Sequence, residues 1–274
     1  MATRIISVLC EGPHDVAFLS KLIRTIGFKV KDTTRLSDYP EPLNDIFLQE
    51  VKKSNFEELA FNELRNYLLP MTTLSNGDNW FMFYALGGDS RSDLRDKILL
   101  NHFDQNTMEG EIQLLPEDTD LSLVYFFDAD KEGVDSRIQK INSELTKVVE
   151  EVKFENNGQI ISIGKISLGC YIFSELEKTT GKLEDVVLPV MKLHNEVIFE
   201  AAEEYLKAHY SQERDKKKGF EFSKATIGIV GQLQKSGMTN QVIIGQTDYI
   251  TKEKLKNDQK CKEILDFFNK LLLT

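Results

Sequence analysis

The chain has 274 residues, 41% hydrophobic and 28% charged, which is enough for one large globular domain or two small ones. No apolar run approaches the length that crosses a bilayer. Cys10, Cys170 and Cys261 stand far apart with no CxxC pair, which argues against a disulfide scaffold or a zinc site and fits a reducing cytoplasm. A formal charge of −10 excludes a broad positive surface for gripping nucleic acid, so any positive charge set against phosphates has to be local or brought in by a metal ion.

In chain order, "MATRIISVLC" has no separate apolar signal region before a small-residue cleavage site, and is expected to be the first strand of the fold. A helix is expected from Asp15 to Gly27, with apolar residues at Val16, Phe18, Leu19, Leu22, Ile23 and Ile26. Residues 31–78 hold a mixed helical pattern, "IFLQEVKKSNFEELAFNELRNYLL", between polar flanks. "WFMFYAL" predicts a buried strand that ends at Gly87 and Gly88, and "SRSDLRDKILLNHF" a helix that Ser90 can cap. "LSLVYFF" predicts another apolar strand, ending at Asp128, and "VDSRIQKINSELTKVVEEV" a helix. "QIISIGKISLGCYIF" supplies one or two strands. From Leu183 the pattern is mostly helical, interrupted by the lysine-rich loop "ERDKKKGFEFSK". There is no internal repeat, low-complexity tract or Pro/Gly-rich linker. Strands alternating with helices imply an α/β fold with a mainly parallel sheet, and continuous apolar strands agree, because parallel strands are covered on both faces.

Three of these strands run into conspicuous residues: "CEGPHD", "LGGDS" and "FFDADKEG". Ligands of open parallel sheets bind outside the carboxyl ends of the strands. Glu11, Asp15, the glycines 87 and 88, Asp128 and Asp130 are therefore candidates for one shared site. Crowded carboxylates repel one another and lose hydration, and they are tolerated where they hold a hard cation such as Mg²⁺, which takes one or two carboxylates together with substrate phosphates.

The order of apolar strand, EGxxD and helix, then a strand with a small-residue turn, then a strand, DxDxxG and helix, resembles the Toprim domain. That domain is the catalytic module of type IA and type II topoisomerases, bacterial primases, the 5S rRNA maturation nuclease and the OLD-family nucleases. The resemblance implies a Rossmann-like, mostly parallel sheet flanked by helices, with residues 1–190 as the core and 191–274 as a helical C-terminal extension packed on it. It matches Glu11 to the family's metal-ligand or acid/base glutamate and Gly12 to the glycine after it. Asp128 and Asp130 match the pair that holds Mg²⁺ (or Mn²⁺), and Gly133 the glycine behind them. "TTGKLEDVVLP" resembles the segment after the fourth strand of small stand-alone and OLD-like members, which brings Glu184, and less directly Asp185, to the metal. "FSKATIGIVGQL" resembles their lysine-bearing helix, which carries Lys224. The chain shows no Walker motif, topoisomerase tyrosine domain or primase zinc finger.

Competing readings of the same residues are simpler. "DADKEG" matches the start of an EF-hand loop, but position twelve would be Gln139 and the preceding run reads as a strand rather than a helix. Asp128 and Asp130 could cap the following helix, although one acid suffices for that. Glu11 could be an ordinary loop acid. Gly87 and Gly88 fit a tight turn as well as a close approach to phosphate. His14 fits a solvated helix start, and Lys216–Lys218 with Lys224 fit a solvated loop as well as a phosphate contact. The leading expectation is a Mg²⁺-dependent phosphodiesterase, a nuclease acting on DNA or RNA. Glu11, Asp128 and Asp130 would serve as catalytic and metal-binding groups, with Glu184 assisting a second ion. The alternatives are a non-catalytic metal- and nucleotide-binding module that works with a partner such as a separate ATPase, and a further phosphotransfer such as primer synthesis.

Overall fold

The computed structural model describes residues 3–52, 69–86, 91–107, 118–149, 152–211 and 221–273. The centre is four parallel strands: β1 (Thr3–Cys10), β4 (Asn79–Ala85), β5 (Thr119–Asp128) and β7 (Ile166–Phe173). Each is an apolar run buried on both faces, and β1 lies between β4 and β5. Antiparallel strands finish both edges: β2 (Lys29–Val30) and β3 (Thr72–Asn76) beyond β4, and β6 (Gln159–Ile163) beyond β7. Among the described residues the sheet has seven strands, in the order β2-β3-β4-β1-β5-β7-β6.

Alternation along β1 divides the core. Ile6, Val8 and Cys10 face a layer made by α1 (Pro13–Arg24), α5 (Leu183–Lys192), α6 (Glu196–His209), α7 (Phe222–Gly231), α8 (Asn240–Gln246), α9 (Lys252–Asn257) and α10 (Gln259–Leu273). Ile5 and Leu9 face the opposite layer, made by α2 (Leu43–Lys52), α3 (Ser92–Thr107) and α4 (Val134–Leu145). The architecture is thus an α/β fold with a helical C-terminal region, as the sequence alternation implies. No helix among the described residues is long and apolar enough to cross a membrane.

Several boundaries differ from the sequence reading for identifiable reasons. Helix α1 begins at Pro13, whose missing N–H suits a first helical position, and ends at Arg24. Residues 31–78 contain part of the edge of the sheet as well as α2, while 53–68 of the helical pattern lie outside the described residues. Strand β3 was concealed by its polar sequence "TTLSN". The hairpin to β4 turns through the two residues Gly77 and Asp78 between the paired Asn76 and Asn79, with Gly77 (φ +57°) at the first loop position, where a tight hairpin needs a positive φ. Helix α4 stops at Leu145, because Asn142 grips the returning chain: its amide donates to the Phe154 carbonyl at 2.9 Å and its carbonyl accepts the Phe154 N–H at 2.8 Å. The stretch 159–173 forms two strands that turn at Gly164 (φ +59°).

The C-terminal helix docks through Phe267 and Phe268. Phe268 stacks on Phe126 of β5 at 5.0 Å between ring centroids, and Phe267 meets the same ring edge-on at 5.6 Å. Fully burying each ring contributes roughly 1.5–3 kcal/mol. The docking requires a bare backbone beneath it: a Cβ at Gly169 would lie 2.7 Å from Val124 Cγ1 and 2.8 Å from Phe267 Cζ. Gly169→Ala is therefore expected to lower stability by roughly 1–3 kcal/mol through overpacking. Adding Phe267→Leu should return part of that loss, so the two changes combine less than additively. Denaturant midpoints of the two single variants and the double variant measure this, and strictly additive losses would contradict the contact.

Candidate metal centre

The connection after β1 crosses one face of the sheet through α1, and the one after β5 crosses the opposite face through α4. The carboxyl ends of these neighbouring strands therefore open into the crevice of a topological switch point. Their register pairs Cys10 with Phe126, which brings Glu11 level with Phe127 and next to Asp128. Glu11 Oε1 accepts the Asp128 N–H at 3.1 Å.

Two helix N-termini face this crevice with matching geometry. Gly12 precedes α1 with φ −154° and ψ 179°, and Lys182 precedes α5 with φ −151° and ψ 178°. In each, the aspartate three residues on accepts the N–H of that preceding residue: Asp15 Oδ2 from Gly12 at 2.6 Å and Asp185 Oδ2 from Lys182 at 2.9 Å. The extended backbone at Gly12 gives no conformational reason for a glycine there. The second residues of the two helices meet, His14 Nδ1 lying 3.5 Å from Glu184 Oε1. Lys224, on α7, puts its Nζ 3.7 Å from the same oxygen. The first N–H of α5, on Leu183, donates to Asp128 Oδ1 at 2.8 Å. The positive ends of both helices thus favour the negative charge gathered here.

The acids raise one another's proton affinity. Burial, then the charges of Asp15 and Glu11, push the Asp128 carboxyl up to about 9 against the pull of the Leu183 N–H. Asp15, 5% exposed, is pushed up to about 7, chiefly by burial, with Glu11 and Glu184 adding and the Gly12 N–H opposing. Burial pushes Glu184 up too, but the His14 hydrogen bond and the Lys224 charge outweigh it and hold the carboxyl below its ordinary range. Glu184 is 2% exposed, and its second oxygen, Oε2, has no hydrogen-bond partner among the described residues. Such an orphan costs roughly 1–3 kcal/mol. Burial, then Asp15 and Glu11, push the Cys10 thiol well up.

Asp130 stands apart from this cluster. Its φ of +50° turns the chain out of the strand, and its carboxylate is 48% exposed. Main-chain bonds to Gly181 in both directions, at 2.7 and 3.0 Å, hold it there. Helix α4 is preceded by Gly133 (φ +92°) with no side-chain cap, so neither aspartate of the DxD pair serves as its cap. Between the two groups lies Arg137, which the sequence alone does not single out. It is 8% exposed, and its Nε donates to the Asp128 carbonyl at 2.8 Å. Gly87, Gly88, Ser90 and Lys216–Lys218 lie outside the described residues.

Among the described residues, no three carboxylate, imidazole or thiol groups are already closed around one point. The chemistry of the group nonetheless fits a hard divalent cation: the donors are oxygens, one buried oxygen is unpartnered among the described residues, and two carboxyls have their proton affinity raised by burial first and then by their neighbours' charge. Glu11, Asp128 and Asp130 are the residues that would hold it, with Glu184 offering Oε2.

The raised carboxyls have a consequence for metal-free protein. Asp15 and Asp128 bind protons more tightly folded than unfolded, so their contribution to stability is fully present below about pH 4 and is lost as pH rises through about 7 and then about 9. In chelator, stability should therefore fall between pH 5 and pH 9. Asp128→Asn, which keeps the acceptor for Leu183 and loses the charge, should flatten the upper part of that fall. Parallel denaturation curves across this range measure it; identical slopes for the two proteins would contradict the coupling.

No curated protein matches the chain. Its fold is similar to that in the crystal structure of hypothetical protein PH0156 from Pyrococcus horikoshii OT3, with a TM-score of 0.57 over 98% of this chain and 96% of that one, at 16% identity. At that identity the likeness speaks to the fold alone. The model of the family described as "Protein of unknown function (DUF3226)" matches residues 6–273, and the chain belongs to that family.

Proposed function

We propose that the chain is a Mg²⁺- or Mn²⁺-dependent phosphodiesterase that cleaves nucleic acid, DNA or RNA, at a Toprim-type acidic site. The observation that carries this reading is the meeting of Glu11, Asp128 and Glu184 at the switch-point crevice, beneath two helix N-termini and with one buried carboxylate oxygen unpartnered. When bound, a divalent ion supplies charge neutralisation at the phosphate and eases ionisation of the attacking water. The chain's own residues do the rest. The N-termini of α1 and α5 direct their N–H groups and dipoles towards an anion. Lys224 and His14 balance the charge of Glu184. Glu11, fixed by the Asp128 N–H and crowded by other acids, is the group to exchange a proton with water or leaving group.

The net charge of −10 supports a second reading, a metal- and nucleotide-binding module that regulates a partner such as a separate ATPase, since an acidic surface does not attract a polyanion by itself.

Purified protein incubated with plasmid, single-stranded DNA and RNA, with Mg²⁺ or Mn²⁺ and with chelator, separates the two. Metal-dependent cleavage is expected. Glu11→Gln should lose roughly 10²–10⁴-fold in rate while keeping the fold, because glutamine cannot exchange the proton. Asp130→Asn should be partly rescued by excess Mn²⁺. Absence of cleavage on all three substrates, with nucleotide binding that disappears in Asp128→Asn, would favour the regulatory module.

A further inference from the structure

The acids at the strand ends already have a cation among them. The Nη2 of Arg137 lies 3.1 Å from Asp130 Oδ2 and 3.5 Å from Glu11 Oε1, so a single nitrogen bridges the acid that follows β1 and the second acid that follows β5. The opposite edge of the guanidinium is anchored, Nε donating to the Asp128 carbonyl at 2.8 Å, and its central carbon lies 6.0 Å from the centroid of the Phe127 ring. Arg137 sits in the first turn of α4, so the helix delivers it to the crevice already oriented.

A divalent ion shared by Glu11 and Asp130 and this nitrogen cannot occupy one position. Ligand oxygens approach Mg²⁺ to 2.0–2.1 Å, closer than either oxygen now lies to Nη2, and two positive charges at such separations repel. We infer that Arg137 is a built-in counter-ion that holds the cation position between Glu11 and Asp130 in metal-free protein and competes with the metal for it. This rests on the metal reading above. Loading the ion moves the Nη edge off both carboxylates while Nε stays on the Asp128 carbonyl. The displaced edge then faces the crevice as a donor pair for a phosphate, which makes Arg137 a positioning residue whose state reports metal occupancy.

The test uses chelator-stripped full-length protein and Mn²⁺ titrated against thermal midpoint and by calorimetry. Arg137→Gln keeps a donor for the Asp128 carbonyl and removes the charge; Arg137→Lys keeps the charge and loses the fork. The glutamine variant should melt lower without metal and bind Mn²⁺ about tenfold tighter than wild type, because the competitor is gone. The lysine variant should bind Mn²⁺ close to the wild-type level. Unchanged or weaker Mn²⁺ binding by Arg137→Gln overturns the proposal and leaves the metal reading standing. No Mn²⁺ response in any of the three proteins overturns both, and a response confined to Arg137→Gln supports the blocking role. A readout in wild type covers the case in which Arg137→Gln fails to fold. With ¹⁵N-labelled arginine, saturating Mg²⁺ should shift the Arg137 Nη signals and leave Nε–H protected. Unmoved Nη signals alongside a Mg²⁺-induced rise in thermal midpoint would overturn the inference alone.

Discussion

Mutual repulsion of carboxylates at the ends of two adjacent parallel strands is the constraint around which this molecule is arranged. Glu11, Asp15 and Glu184 lie close enough to raise the proton affinity of Asp128, and with Asp15 and Glu184 buried and Glu11 and Asp128 only partly exposed, water screens them poorly. Nearly every polar contact at this end of the sheet answers that repulsion. The Asp128 N–H turns to Glu11, the Leu183 N–H to Asp128, and the Gly12 N–H to Asp15; His14 and Lys224 share one oxygen of Glu184, and Arg137 lies between Glu11 and Asp130. A fold optimised for stability alone would put apolar residues here. Five acids kept at one crevice, with one oxygen still unpartnered, mark a place where stability is given up for charge.

The loop that leads from β7 into α5 makes the arrangement possible. It lies across the "DADKEG" turn, joined by the two Asp130–Gly181 bonds and by the Val134 N–H donating to the Thr179 carbonyl at 2.8 Å. The loop also folds back tightly on itself: a Cβ at Gly181 would fall 2.5 Å from the Glu175 nitrogen, and the φ of +129° there disfavours any side chain. The loop then delivers α5 with its N-terminus against Asp128. The acidic site is thus assembled from a strand end, a turn and two helix starts that only this crossing brings together.

Much of the scaffold was legible because its signals are local. The buried strands read as unbroken apolar runs, and the acids followed them at the positions where a parallel sheet presents ligands. The edges were not legible: β2 is two residues long and β3 is polar, and pairing with a neighbour rather than their own composition makes them strands. The end of α4 was misread because it depends on Asn142 holding Phe154 twelve residues away. In the site, Glu11 and Asp128 could be picked out by position. The pairing of α1 and α5, with His14 meeting Glu184, could not, because matching N-terminal turns 170 residues apart carry no mutual signal in a single sequence. Arg137 was missed for the same reason: on a helical wheel it is one cation among several, and only the fold sets its guanidinium beside three acidic residues.

The DxD spacing itself illustrates the limit of pattern reasoning. Residues two apart in a strand share a face, which suggests two equivalent aspartates presented side by side. Here the strand ends at Asp128, and the positive φ at Asp130 breaks the period. Asp128 is turned inward, against the α5 N-terminus and among other acids, and burial together with the charges of Asp15 and Glu11 raises its proton affinity. Asp130 is turned outward to water and Arg137. The two aspartates are therefore unequal before any ligand arrives. The inner one has its proton affinity raised by burial and by neighbouring acids, and the outer one has a guanidinium beside it, so on the proposed metal reading a divalent ion drawn to both would compete with a proton on one side and a guanidinium on the other. On that reading, the double exchange would link occupancy of the crevice to both pH and the position of a single arginine.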